Sequence, residues 1–79
     1  EWPAPQAEET GVMEALQRIK EPWRIVLIMH ELEGFTYAEI ASVTRVPENT
    51  VKYRAVQARR ALRREIERQE NELRGGATR

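Results

Sequence analysis

Seven of the thirteen basic side chains, Arg45, Lys52, Arg54, Arg59, Arg60, Arg63 and Arg64, fall within residues 45–64, where Glu48 is the one carboxylate. Seven positive against one negative charge leave that segment at plus 6, inside a chain whose thirteen basic and thirteen acidic residues cancel. Residues 1–44 hold three basic against eight acidic side chains, or minus 5. A stripe of one sign is the footprint a polyanion requires, because phosphate contacts supply most of the sequence-independent binding energy. Enzyme chemistry has less to work with. Cysteine is absent, which excludes disulfides and thiolate metal sites, and His30 is the only imidazole. Glu31 and Glu33 point to different sides of a helix and do not form an acid–base pair. There is no Ser/His/Asp set, phosphate-binding glycine loop or dinucleotide turn. The chain therefore reads as a binding domain, not an enzyme, with no cofactor and no metal.

Length narrows the architecture further. Seventy-nine residues make one domain, which buries roughly 60% of its unfolded surface and leaves little room for an enclosed active site. The longest apolar run, Ile25–Met29, has five residues, against about 20 for a membrane span. Glu1-Trp2-Pro3 lacks the basic start of a signal peptide, so the expected compartment is the cytoplasm.

Helical periodicity places the basic stripe. Pro3 and Pro5 bracket an extended start, and Val12, Leu16 and Ile19 then repeat as one helix face, predicting a first helix over 7–19. Pro22 suits the opening turn of a second helix that runs to Glu33 and stops at Gly34. Its apolar residues, Trp23, Ile25, Val26, Leu27, Ile28 and Met29, cover enough of its surface to be packed on two sides. Thr36-Tyr37-Ala38-Glu39 matches a capping box and starts a short third helix over 37–44, which Arg45-Val46-Pro47 ends. From Pro47 no glycine or proline intervenes before Gly75, which predicts one helix of roughly 25 residues, about 38 Å long, and a frayed, disordered tail over 75–79. The class is all-α: a four-helix domain with a helix-turn-helix and a long C-terminal recognition helix.

Within that frame Ile40, Ala41, Val46 and Val51 fall where two steeply crossed helices need apolar contact. Projection at 100° per residue puts Ala55, Ala58 and Leu62 with Val51 on the core side of the last helix. Asn49, Tyr53, Val56, Gln57 and Arg60 face the opposite way, flanked by Lys52 and Arg54. A basic helix face is often merely solvated. Here Tyr53 and Val56 put apolar surface at its centre, where a thymine methyl would find it, and four arginines crowd into residues 59–64.

Three stretches together resemble region 4 of bacterial RNA polymerase sigma factors, most closely the extracytoplasmic-function group. They are Glu21 through Ala41 (EPWRIVLIMHELEGFTYAEIA), Val46 through Arg54 (VPENTVKYR) and Gln57 through Leu62 (QARRAL). The likeness covers about residues 12–66. It implies a domain whose last helix reads the minus-35 promoter element in the major groove of double-stranded DNA while the domain docks on the beta flap of RNA polymerase core. Residues 1–10 would be a linker from a missing N-terminal region, and 11–74 the domain. Lys52, Tyr53, Val56 and Gln57 occupy the family's base-reading positions; Asn49, Thr50 and Arg54 take backbone-contacting or helix-start positions, to which the outward-facing Arg60 adds a phosphate contact. Arg45 stands where a turn glycine is frequent, Asn49 where glycine is common, and Tyr53 where a small serine is usual. Base preference is therefore not inherited.

Two other readings compete. The DNA-binding domain of a dimeric response regulator also has four helices and a Thr-Val-Lys start to its reading helix. A protein-interaction module would use the apolar surface of the second helix, with Trp23, Ile25 and Ile28, for a partner such as an anti-sigma factor. The isolated sigma domain is expected to be monomeric and not to engage a membrane.

Overall fold

A computed structural model describes the backbone of residues 7–78 and the side chains of residues 11–73. The described residues form four α-helices and no strand: α1 Ala7–Gln17, α2 Glu21–Leu27, which continues as a π-helical turn over Ile28–Leu32, α3 Tyr37–Thr44 and α4 Glu48–Thr78. The expected linker over 1–10 lies outside the described residues for 1–6, and from Ala7 the chain is helical. At the other end α4 has 31 residues and crosses Gly75-Gly76 to reach Thr78, so the tail expected from Gly75 is helical as far as Thr78. Neither Ala77 nor Thr78 breaks the helix, and each added helical residue gains one backbone hydrogen bond.

Local chemistry sets the boundaries. The first helix stops at Gln17, two residues early. The Arg18 and Ile19 amides donate to the Ala15 and Leu16 carbonyls at 3.1 and 3.2 Å, an i to i+3 tightening of the last turn. Helix α2 opens with Glu21-Pro22, as the missing proline N–H allows. Its last turn departs from the α-helix expected up to Glu33. The Glu33 amide donates to Ile28 O at 3.1 Å, His30 Nδ1 pairs with Phe35 O at 2.8 Å, and Gly34 at φ 80° takes the turn. These bonds widen the helix into a π-turn. At α3 the capping box forms in both directions: the Glu39 amide donates to Thr36 Oγ1 at 3.0 Å, and the Thr36 amide to Glu39 Oε1 at 2.9 Å.

The Cα trace measures 48 × 33 × 14 Å. A slab that thin supports only a narrow core, and the buried side chains fall into two clusters along α4. Leu16, Ile19, Leu27 and Ala58 form one, with Trp23, Ala61 and Leu62 against it. Val26, Ile40, Val51 and Ala55 form the other, with Phe35, Tyr37, Ala41 and Val46 around it. Every core position assigned to the α3–α4 crossing by spacing alone lies in the second cluster. Where α1 passes α4, a Cβ on Gly11 would sit 3.2 Å from Gln69 Oε1, so glycine admits the close approach and Gln69 replaces an apolar residue in the stripe.

Ile40 is fully buried at the centre of the second cluster, and its truncation leaves a cavity that helices held at both ends cannot close. Ile40→Ala is expected to lower unfolding free energy by about 2–4 kcal/mol in urea denaturation. A loss below about 1 kcal/mol would contradict this packing.

Candidate nucleic-acid interface

The orientation of the outer face of α4 depends on the turn between α3 and α4. Arg45 adopts φ 63° and ψ 39°, the left-handed conformation, which costs a residue with a Cβ roughly 1–2 kcal/mol. Its amide and that of Val46 both donate to Ala41 O, at 2.8 and 3.3 Å, so the end of α3 is closed without glycine. Thr44 Oγ1 donates to Ile40 O at 2.7 Å. Pro47 follows, and its carbonyl accepts the Val51 amide at 3.1 Å as the first turn of α4 begins. Val51 and Ala55 then face inward, which turns the residues between them outward.

Those outward residues are the ones singled out from the sequence. Tyr53 is 60% and Val56 44% exposed, although both present mainly apolar surface. Lys52, Asn49 and Arg60 are exposed as well, while Thr50, Arg54 and Gln57 are half-buried. From Lys52 to Arg60 the helix rises about 12 Å, and the diameter of a helix with its side chains, about 10–12 Å, fits the width of a B-DNA major groove. The face is apolar at its centre and basic at its edges.

Ion pairing divides the basic stripe more finely than a charge count. Arg59 donates to Glu31 Oε2 at 2.9 Å and to the Tyr37 hydroxyl at 2.8 Å. These two hydrogen bonds, Tyr37 first and Glu31 second, hold its guanidinium pKa above the ordinary arginine value. Tyr37 also stacks on His30 with ring centroids 4.2 Å apart. Arg59 thus ties the π-turn and α3 to α4 and is turned away from the outer face. Its projection, about 80° from Val51, carried that signal, but the partner Glu31 is 28 residues away and left no local trace. Lys52 Nζ lies 3.7 Å from Glu48 Oε2, with both groups near half exposed. Among the described residues Arg45, Arg54, Arg60, Arg63 and Arg64 have no carboxylate within ion-pair distance. Arg54 borders a crevice shared by the start of α2 and Thr44 at the end of α3.

A second surface emerges on the flank of α4. An open groove of about 1310 Å³ runs between α1, the π-turn and α4, with Met13, Leu16, Ile28, Leu32, Leu62 and Ile66 in its walls and Glu31, Arg59, Glu67 and Glu70 on its rim. The sequence reading expected an apolar partner surface on the second helix around Trp23, Ile25 and Ile28. Ile28 does line the groove, whereas Trp23 packs against the first core cluster and Ile25 borders the crevice beside Arg54. The groove needs three elements, so no single periodicity announced it.

The family model described as Sigma-70, region 4 matches residues 10–62, more than half of the chain. The chain belongs to the sigma-70 region 4 family. It is also 37% identical, over 54 residues, to the RNA polymerase sigma-H factor of Pseudomonas aeruginosa, an alignment covering 68% of this chain and 28% of that protein. The region 4 domain therefore spans under a third of that curated relative. No helix among its described residues is long and apolar enough to cross a membrane.

The left-handed turn gives a direct check on the geometry of this region 4 domain. Arg45→Gly removes the Cβ penalty at φ 63° and is expected to raise unfolding free energy by about 0.5–1 kcal/mol, a gain of several degrees in thermal midpoint. A lowered midpoint would mean that the turn takes another conformation.

Proposed function

We propose that this domain is the promoter-recognition part of an alternative sigma factor of the extracytoplasmic-function type. In this reading the first half of α4 enters the major groove of the minus-35 element. Lys52, Tyr53, Val56 and Gln57 meet base edges, while Asn49, Thr50, Arg54 and Arg60 meet the phosphate backbone. The observation that carries it is the outer face of α4: exposed Tyr53 and Val56 sit between basic side chains on the second helix of a helix-turn-helix. An apolar centre suits thymine methyls, a lysine suits guanine N7 and O6, and Gln57 suits adenine rather than guanine. Arginine and asparagine at the margins fix register on the phosphates without reading sequence.

The apolar groove supports the second half of the reading. A sigma factor must also be held by RNA polymerase, and the groove offers a helix of the beta flap a site that leaves the outer face of α4 free. With zero net charge the chain binds DNA weakly alone, and polymerase supplies the missing affinity as effective concentration. The same groove would admit an anti-sigma factor, which silences the domain by occlusion. A two-component regulator is less well supported: those proteins dimerise through a separate final helix, whereas α4 continues unbroken from Glu48 to Thr78. We take the domain to be a monomer that acts in the cytoplasm, where polymerase and promoter are.

Fluorescence anisotropy with a minus-35 duplex at several salt concentrations tests the DNA half. Lys52→Ala should cost about 1–3 kcal/mol on the preferred duplex and less on others. Arg54→Ala should weaken all duplexes nearly equally and make the log–log salt slope shallower by about one. Binding indifferent to both changes would overturn the reading.

A further inference from the structure

We propose that Glu48 is a specificity-determining residue that works with Lys52 as a single reading unit for a G·C base pair. The inference rests on the promoter-recognition reading and deepens it. Glu48 is the lone acid in residues 45–64, and it occupies the first turn of the helix that leads into the groove. A carboxylate there opposes phosphate binding. Its Oε2 lies 3.7 Å from Lys52 Nζ, with the two side chains 48% and 55% exposed, so an acceptor and a donor are presented to solvent side by side.

That pairing has a chemical complement on base edges. In the major groove guanine offers N7 and O6 as acceptors, and its partner cytosine offers the N4 amino group as a donor. The ammonium donates to the guanine acceptors, and the carboxylate accepts a hydrogen bond from the cytosine amino group. Against an A·T pair the match fails: the adenine amino group lies beside N7, where the ammonium would go, and the thymine methyl meets a charged oxygen. At an A·T or C·G pair in the same register no amino group faces Glu48, which then only repels phosphate and penalises those sites, while a T·A pair keeps an amino donor and is rejected through the loss of guanine N7 to a thymine methyl. Lysine alone would favour guanine but carry no such penalty.

A carboxylate in the first turn also favours the helix macrodipole and forms an i, i+4 ion pair. These structural effects move thermal stability and shift affinity for every sequence alike. They do not change which base is chosen.

The test is selection from a randomised duplex pool with the chain, at about 50 mM salt where phosphate contacts are strong, alongside thermal melts of each variant. Glu48→Ala should bind random duplex a few-fold more tightly and lose roughly tenfold of the discrimination for G·C at one base pair. Lys52→Ala should lose preference at that same pair. Glu48→Gln, which keeps the size and gains a donor, should shift the preference there toward A·T. If the unsubstituted chain selects a motif that Glu48→Ala and Glu48→Gln both leave unchanged, the inference fails while promoter recognition stands. Uniformly weaker binding with a lowered melting midpoint overturns it too. A chain that selects no motif at all overturns the promoter reading itself.

Discussion

Contact between α3 and α4 through Ile40, Val51 and Ala55 determines what the rest of the surface can do. All three are essentially inaccessible to solvent, and Ala41 and Val46 close the same cluster from the turn. Once Val51 and Ala55 point inward, helical geometry leaves Lys52, Tyr53, Val56, Gln57 and Arg60 no choice but to point out. The turn must then be short and sharply bent, which the left-handed Arg45 and the following Val46-Pro47 provide. The outer face of α4 and the core are two sides of one constraint.

The slab-like shape has a second consequence. With two small core clusters and no enclosed interior, polar ties between elements carry part of the positioning. Arg59 links α4 to Glu31 on the π-turn and to Tyr37 at the start of α3, and Tyr37 stacks on His30. The pair is solvent-exposed, so its net contribution to stability is modest. Its role is orientation, since it holds the first helix of the helix-turn-helix at a fixed distance from the second. Arg68, between Glu65 and Glu72, forms ion pairs within α4 itself and so supports the helix without tying it to another element. Cations used in this way are not available to a polyanion, and the residues left for that purpose concentrate on the outer face and around the turn.

Much of this was legible in the sequence because it is local. The capping box at Thr36 and Glu39, the limits of α3 and the core side of α4 all follow from spacings of a few residues. So does the outward placement of Tyr53 and Val56, and the region 4 likeness rests on those same stretches. What escaped is what distance along the chain conceals. The Arg59–Glu31 pair joins residues 28 apart, and the π-turn depends on carbonyl and imidazole partners that sequence periodicity does not weigh. The groove needs α1, the π-turn and α4 in register before any wall of it exists. The end of α4 differs for another reason: Gly75-Gly76 lowers helix propensity by only about 1 kcal/mol per glycine, and the helix continues to Thr78.

The central claim is that the outward side of α4 lies in a duplex groove. Backbone amide chemical-shift mapping during titration with a minus-35 duplex addresses it most directly. The account predicts the largest changes at Asn49, Lys52, Tyr53, Val56, Gln57 and Arg60, with Met13, Leu32 and Ile66 in the flank groove little affected. Changes centred on the groove, with Tyr53 and Val56 unmoved at saturation, would contradict it.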